Sequence, residues 1–162
     1  MLHFISNFAK MEEMKVFSEN KKAYFDYEIL EKFEAGINLI GQEVKSIRLG
    51  RISLAGSYVV LKEEEVFLVG ANIPPYQPKN APSDYDPERG RKLLLRKKEI
   101  NYLIGKTRVK GLTLVPLKVY TVKAKIKIEF GVAKGKKQAD KREVIKKRDT
   151  DREIRDELNL RG

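Results

Sequence analysis

The chain has 162 residues, which is enough for one domain with a hydrophobic core. Its 34 Lys and Arg outnumber 23 Asp and Glu, and the net charge of +11 favours a polyanionic partner, either nucleic acid or an anionic membrane surface. The absence of cysteine excludes disulfides, thiolate metal sites and a cysteine nucleophile. No apolar run approaches the roughly 18 residues that cross a bilayer. The N-terminus lacks the layout of a signal peptide, so we expect a cytoplasmic protein.

Residues 1–17 are predicted to be an N-terminal extension. Apolar residues at near-helical spacing allow a short amphipathic helix there, although a frayed end is the simpler interpretation. Met11 or Met14 is an alternative start of translation.

Residues 18–133 are rich in β-type alternation, which predicts a mostly β domain. Strand-like or apolar segments occur at 23–33, 37–50, 57–61, 66–73, 112–120 and 125–133. The acidic KEEE at 62–65 and the residues Val122 to Ala124 are predicted turns, and the proline-rich 74–91 is a loop. One amphipathic helix is predicted over 97–108. Five or six short strands with one helix predict an OB-like antiparallel barrel, because closure removes exposed strand edges.

Residues 134–162 form a charged C-terminal tail. Between Lys134 and Arg148 eight residues are basic and two are acidic, whereas the balance after Asp149 is slightly acidic. Helix propensity is good, but a helix that is polar on nearly all sides has little to hold it on the barrel. We predict a tail that is disordered when free and helical when bound to a polyanion. The alternative is a solvated charge run without a function.

Convergent catalytic groups are not apparent in the sequence. The only histidine, His3, lies in the extension, so no histidine can activate a serine or threonine. Asp84 and Asp86 could bind a divalent metal, but a solvated turn is the simpler interpretation. We therefore expect no enzyme activity, no metal site and no cofactor.

A basic segment follows the proline-rich loop, and its cations favour phosphate binding. It comprises Arg91, Lys92, Arg96, Lys97, Lys98, Lys106, Arg108 and Lys110. Tyrosines elsewhere in the domain could stack on exposed bases, which points to RNA.

Five sequence blocks occur together and in order. They are FEAGINLIGQEVKSIRLGRISLAGSYV (33–59), ANIPPY (71–76), DPERGRKLLL (86–95), KGLTLVPLKVY (110–120) and GVAKGKKQADKR (131–142). This pattern resembles the SmpB family of SsrA-binding proteins, over about 20–148. The resemblance implies an OB-type barrel with accessory helices that binds the tRNA-like domain of tmRNA. It also implies that the tail enters the empty mRNA channel of a stalled 70S ribosome, near the decoding centre of the small-subunit rRNA. Elongation factor Tu would take part indirectly through charged tmRNA, no membrane would be involved, and the free protein would be a monomer.

The resemblance also implies site residues. The RNA-binding set is Asn20, Lys21, Lys22, Glu34, Arg91, Lys92 and Leu94. The set in the tail that acts at the decoding centre is Gly135, Lys136, Lys137, Asp140, Lys141 and Arg142. Two departures from the family pattern stand out: Ala139 replaces a histidine or aromatic ring that can stack on a base, and Phe25 replaces a histidine. The alternative functions are a generic OB-fold ribosomal or single-strand RNA-binding protein and, from the enzyme class, a ribonuclease.

Overall fold

The computed structural model describes residues 14–161, with backbone only for 138–141, 143–144 and 156–161. Of the N-terminal extension predicted over 1–17, residues 1–13 lie outside the described residues, and 15–17 belong to a strand and not to the short helix considered there. The strands are β1 (Lys15–Glu19), β2 (Tyr27–Ile37), β3 (Tyr58–Lys62), β4 (Glu65–Val69), β5 (Arg91–Leu94), β6 (Leu112–Val122) and β7 (Lys125–Gly135). The helices are α1 (Lys21–Asp26), α2 (Gly41–Arg48), α3 (Lys97–Thr107) and α4 (Gln138–Arg161), with a short 3₁₀ helix at Pro78–Asn80.

The strands form one antiparallel sheet that closes on itself. Their order is β1-β6-β3-β4-β5-β2-β7, and β6 also pairs with β7. One edge of β6 pairs with β7, while the other is shared between β3, at Leu114, and β1, at 118–121. Six strands therefore make the barrel and β1 extends it. The predicted mostly β, OB-like barrel with accessory helices is confirmed.

The interior of the barrel is filled by apolar side chains from nearly every strand. Val66, Leu68, Ile128 and Phe130 are fully buried, and α3 adds Leu103 to the same core. Burial of this kind is the main favourable term in folding. The predicted helix at 97–108 is confirmed by α3, which covers the core beside β2.

The two predicted hairpin turns are confirmed. Glu63 and Glu64 join β3 to β4, and Lys123 and Ala124 join β6 to β7; all four residues have positive φ, between 49° and 66°. Two-residue turns of this kind match the right-handed twist of the strands, which is why they connect tight hairpins even without glycine.

Four elements, two helices and two strands, differ from the sequence interpretation. Residues 21–26 form α1 instead of the start of a strand, because Ala23 is buried in a second small core with Val115, Leu117 and Ala133. The bulge in β6 between Pro116 and Lys118 turns Leu117 towards this second core. Residues 41–48 form α2, and the short strands β1 and β5 were not predicted. Strand pairing also extends beyond the predicted limits of the barrel, to Lys15 at one end and Gly135 at the other.

A buried ion cluster lies between α2 and the start of β5. The Arg91 side chain is completely buried, and its Nε donates to Glu43 Oε2 at 2.6 Å. Its terminal nitrogens donate to the carbonyl oxygens of Ala71 (2.7 Å) and Pro87 (2.9 Å). A phosphate cannot reach a guanidinium enclosed in this way. The prediction that Arg91 contacts RNA is therefore corrected. Arg91 instead joins β5 to α2 and to the segments around Ala71 and Pro87 inside the fold.

The tail is a single helix, α4, of 24 residues. At about 1.5 Å per residue it is about 36 Å long. Its described side chains between 145 and 155 are exposed. The segment is helical in this structure, as its helix propensity predicts; disorder in the free protein and helix formation on a polyanion stay predictions. The described helices include none that is long and apolar enough to span a membrane.

Candidate nucleic-acid interface

A groove of about 940 Å³ lies where β2 and β5 meet α3. It is lined by Glu34, Gly36, Glu64, Glu65, Val66, Lys92, Leu93, Leu94, Leu95, Arg96, Lys98, Glu99, Ile100 and Lys127. The fold thus brings together three of the predicted RNA-binding residues, Glu34, Lys92 and Leu94, from two antiparallel strands. An open groove with mixed polar and apolar walls can take a folded RNA surface.

Leu94 presents an apolar side chain to this groove and is 55% exposed. It faces Gly36 across the β2–β5 pair, where a Cβ at position 36 would lie 3.3 Å from Leu94 Cβ. Glycine therefore makes room for the close approach of the leucine side chain. An exposed leucine beside charged groups can pack on a base or a ribose.

Glu34 is held in place from the neighbouring sheet surface. The Tyr120 hydroxyl donates to Glu34 Oε2 at 2.6 Å. Burial of Tyr120 and this hydrogen bond to the carboxylate raise the pKa of the phenol well above its usual value. The hydroxyl therefore stays protonated and keeps donating, which orients an exposed carboxylate for a second hydrogen bond. Sequence reasoning missed Tyr120, because only the register of β6, β7 and β2 brings it to Glu34.

The groove carries both signs of charge. Its carboxylates are Glu34, Glu64, Glu65 and Glu99, and its cations are Lys92, Arg96, Lys98 and Lys127. Lys92 Nζ lies 3.1 Å from Glu65 Oε1, and both side chains are nearly half exposed. Exposed ion pairs contribute little stability, at most about 1 kcal/mol. Lys92 can therefore exchange this carboxylate for an RNA phosphate.

A second predicted set, Asn20, Lys21 and Lys22, lies apart from the groove. The Asn20 backbone N–H donates to Leu117 O (2.7 Å) and its Nδ2 donates to Pro116 O (3.0 Å), so its amide ties α1 to β6. Asn20 and Lys22 line a separate cavity of about 300 Å³ beside the half-exposed Tyr58. Both lysines are exposed on α1.

The predicted tail residues fall into two groups. Gly135 ends β7 and pairs with Tyr27, and Lys136 contacts α1. Exposed Lys137 follows, and Asp140, Lys141 and Arg142 lie in the first turns of α4. Arg142 is exposed, which leaves it accessible to RNA.

The remaining basic residues near α3 form an exposed surface. Arg96, Lys97, Lys98, Arg108 and Lys110 are exposed, whereas Lys106 is paired with Glu31 at 3.8 Å. These cations can neutralise phosphates on the flank of the groove.

No group of three potential metal ligands occurs among residues 14–161 where side chains are described. Asp86 Oδ1 instead accepts a hydrogen bond from the Glu88 backbone N–H at 2.9 Å. This contact is typical of an aspartate that stabilises a turn.

The sequence matches the family described as SmpB protein over residues 17–160. The chain belongs to the SmpB family. The SsrA-binding protein of Carboxydothermus hydrogenoformans is 54% identical over 147 residues, covering 91% of this chain and 98% of that protein. The SsrA-binding protein of Acetivibrio thermocellus is 55% identical over 143 residues, covering 88% of this chain and 92% of that protein.

SmpB-family similarity extends to a solved structure, described as "tmRNA-SmpB: a journey to the center of the bacterial ribosome". A chain in it is 45% identical to this one, with a TM-score of 0.61. The match covers 78% of this chain and 92% of that chain.

Proposed function

We propose that this SmpB-family chain is an RNA-binding adaptor. It binds the tRNA-like domain of tmRNA and delivers it to stalled ribosomes for trans-translation, in the cytoplasm and without covalent chemistry of its own. The observation that carries the proposal is the groove in which exposed Leu94 lies beside the oriented carboxylate of Glu34, in a chain of net charge +11. Relatives named for binding SsrA, and a structural neighbour named for tmRNA and the ribosome, support it.

The groove supports recognition of RNA shape rather than of charge alone. A carboxylate repels phosphate, so Glu34 selects a site that offers base or ribose donors. Leu94 adds apolar contact with a base or ribose, and Lys92 adds a phosphate contact. Unrelated RNA supplies phosphates to the cations but does not place a donor at Glu34 at the same time.

The tail supplies the second half of the activity. We propose that α4 lies in the empty mRNA channel, where its basic first half follows ribosomal RNA phosphates, and that Asp140, Lys141 and Arg142 act near the decoding centre. Charged tmRNA brings elongation factor Tu to the same complex indirectly. The adaptor is a monomer when free.

The test is a competition experiment over a range of salt concentrations. The labelled tRNA-like domain of tmRNA is bound to the full chain, and ordinary elongator tRNA is added as competitor. Glu34→Gln and Leu94→Ala are compared with Glu88→Gln and Leu49→Ala, two exposed residues outside the groove. Leu49 is a matched control because it is 56% exposed, close to Leu94.

We expect binding to survive excess tRNA at near-physiological salt. Leu94→Ala should weaken it by about tenfold, since burying a leucine is worth roughly 1.5–3 kcal/mol. Glu34→Gln should also weaken it, although it raises the net charge. If tRNA competes equally and all four variants bind alike, the chain is a generic RNA-binding protein whose affinity follows charge.

A further inference from the structure

Helix α1 begins beside the predicted RNA-binding residue Asn20, and its C-terminal end contacts Lys136, where the tail leaves the barrel. At its start, the two hydrogen bonds of Asn20 fasten it to β6. In its middle, Ala23 is buried against Leu117 and Ala133. A helix of six residues is thereby fixed to the barrel by both hydrogen bonds and packing.

The end of α1 accepts hydrogen bonds from the tail. The last turn of α1 has no basic residue of its own. The Lys136 backbone N–H donates to Asp26 O at 2.9 Å, and Lys136 Nζ donates to Tyr24 O at 2.9 Å. Carbonyl groups at a helix C-terminus lack hydrogen-bond donors within the helix, and a lysine side chain can donate to them.

A second cation of the tail reaches the same helix. The Arg148 guanidinium lies over the ring of Phe25, 5.6 Å from its centroid. This distance is within the range of a cation–π contact. The tail is therefore held to α1 at Lys136, just before α4 begins, and again at Arg148 within α4.

We infer that Lys136 is a positioning residue that sets the direction in which the tail leaves the barrel. The pairing of Gly135 with Tyr27 fixes the chain up to the end of β7. The next residue, Lys136, is fixed against α1 by its own hydrogen bonds. Because α4 begins at Gln138, its axis follows from this junction. Under the proposed function, on which this inference rests for its consequence, α1 links RNA bound near Asn20 to the tail that enters the ribosome.

The direction of the tail can be measured without RNA or ribosomes. The chain has no cysteine, so Lys62→Cys and Lys146→Cys, both at exposed positions, take nitroxide labels selectively. Double electron–electron resonance then gives the distance distribution between β3 and α4 in the full chain. The solution contains polyphosphate, so that the tail is folded, and circular dichroism checks that the helix is retained in every variant.

The comparison uses three substitutions in the labelled chain. Lys136→Met removes the ammonium donor, Lys136→Arg keeps a donor, and Lys134→Met removes the same charge from an exposed position in β7. We expect a narrow distribution in the parent, in Lys136→Arg and in Lys134→Met, and a broader one in Lys136→Met with unchanged helix content. A broad distribution in the parent, or no change in Lys136→Met, would overturn the inference.

A tagging assay on stalled ribosomes with unlabelled chains separates positioning from direct contact. Lys136→Met should lower tagging several-fold at unchanged affinity for the tRNA-like domain, and Lys136→Arg should restore it. Loss of tagging without a broader distance distribution would instead make Lys136 a ribosome contact and refute the positioning role. Failure of the proposed function appears separately, as loss of preference for the tRNA-like domain, and does not alter the label distances.

Discussion

Neighbouring residues of β5 have opposite surroundings because a strand alternates its faces. In the sequence RKLL, Arg91 and Leu93 are buried, whereas Lys92 and Leu94 are exposed in the groove. The amino-acid types alone do not distinguish the role of Arg91 from that of Lys92, or the role of Leu93 from that of Leu94. Only the face decides that Arg91 pairs with Glu43 inside the fold while Lys92 is available to a phosphate.

Substitution of Glu43, a buried residue paired with Arg91, should lower the stability of the fold substantially. Burial acts to raise its pKa, but hydrogen bonds from Arg89, the Ile40 backbone N–H and Arg91 outweigh burial and hold the pKa below its usual value. Glu43→Gln leaves the guanidinium of Arg91 buried without a counter-charge. We expect the free energy of unfolding to fall by about 3–5 kcal/mol, measured by urea titration. Exposed Glu88→Gln should change it by less than about 0.5 kcal/mol.

The same substitution makes a prediction about pH. Because the folded-state pKa of Glu43 is lowered, its contribution is complete above the ordinary glutamate pKa of about 4.3 and is lost as the pH falls through the folded-state value. The stability difference between the parent and Glu43→Gln should therefore shrink in acid. Parallel stability curves down to pH 3 would show that the carboxylate charge does not contribute.

At the scale of elements, β-bulges decide which residues reach which core. The β2–β7 register shifts between Ile29, which pairs with Ala133, and Glu31, which pairs with Val132; Gly131 pairs with the next residue, Lys32. A Cβ on Gly131 would lie 2.9 Å from Glu31 O and 2.9 Å from Ile29 Cγ2. The backbone oxygen cannot yield as a flexible side chain would, so this glycine is required by the close approach of β2.

Gly131→Ala should therefore lower the melting temperature by several degrees through displacement of β2. Gly105→Ala is the matched control, because its added Cβ meets nothing within 4 Å and it lies in α3. Alanine is a better helix former than glycine by about 1 kcal/mol, so the control should raise the melting temperature. Similar effects of the two substitutions would contradict the assigned clash.

The tail is the element whose stability depends most on its surroundings. The described side chains of its helix between 145 and 155 are exposed, and the contacts of the described tail residues with α1 include those of Lys136 and Arg148. We expect the full chain in buffer to show little more helical circular dichroism than a chain ending at Lys137. Polyphosphate, which has no amide signal, should increase the difference at 222 nm. A large difference already present in buffer would mean that the tail is helical when free.

At the scale of the whole molecule, the barrel and the tail have separable tasks under the proposed function. Asp140→Ala, Lys141→Ala and Arg142→Ala combined should leave binding of the tRNA-like domain intact and stop tagging. The matched control is Asp151→Ala, Arg152→Ala and Arg155→Ala, which changes the net charge equally and lies farther along α4. If the first triple variant loses RNA binding, the barrel and tail do not divide the work in this way.

The sequence alone determined the fold class, the class of partner and the family. It did so through local properties, namely periodicity, turn residues and composition. Alternation predicted five of the seven strands and the closed barrel, the basic tail predicted a polyanionic partner, and the ordered motif blocks indicated the family. The tertiary structure decided what depends on distant residues meeting. Glu34 and Tyr120 are 86 residues apart, and Lys136 meets Tyr24 across 112 residues. Barrel closure and bulged strand register create those contacts, and neither can be read from a short window of sequence.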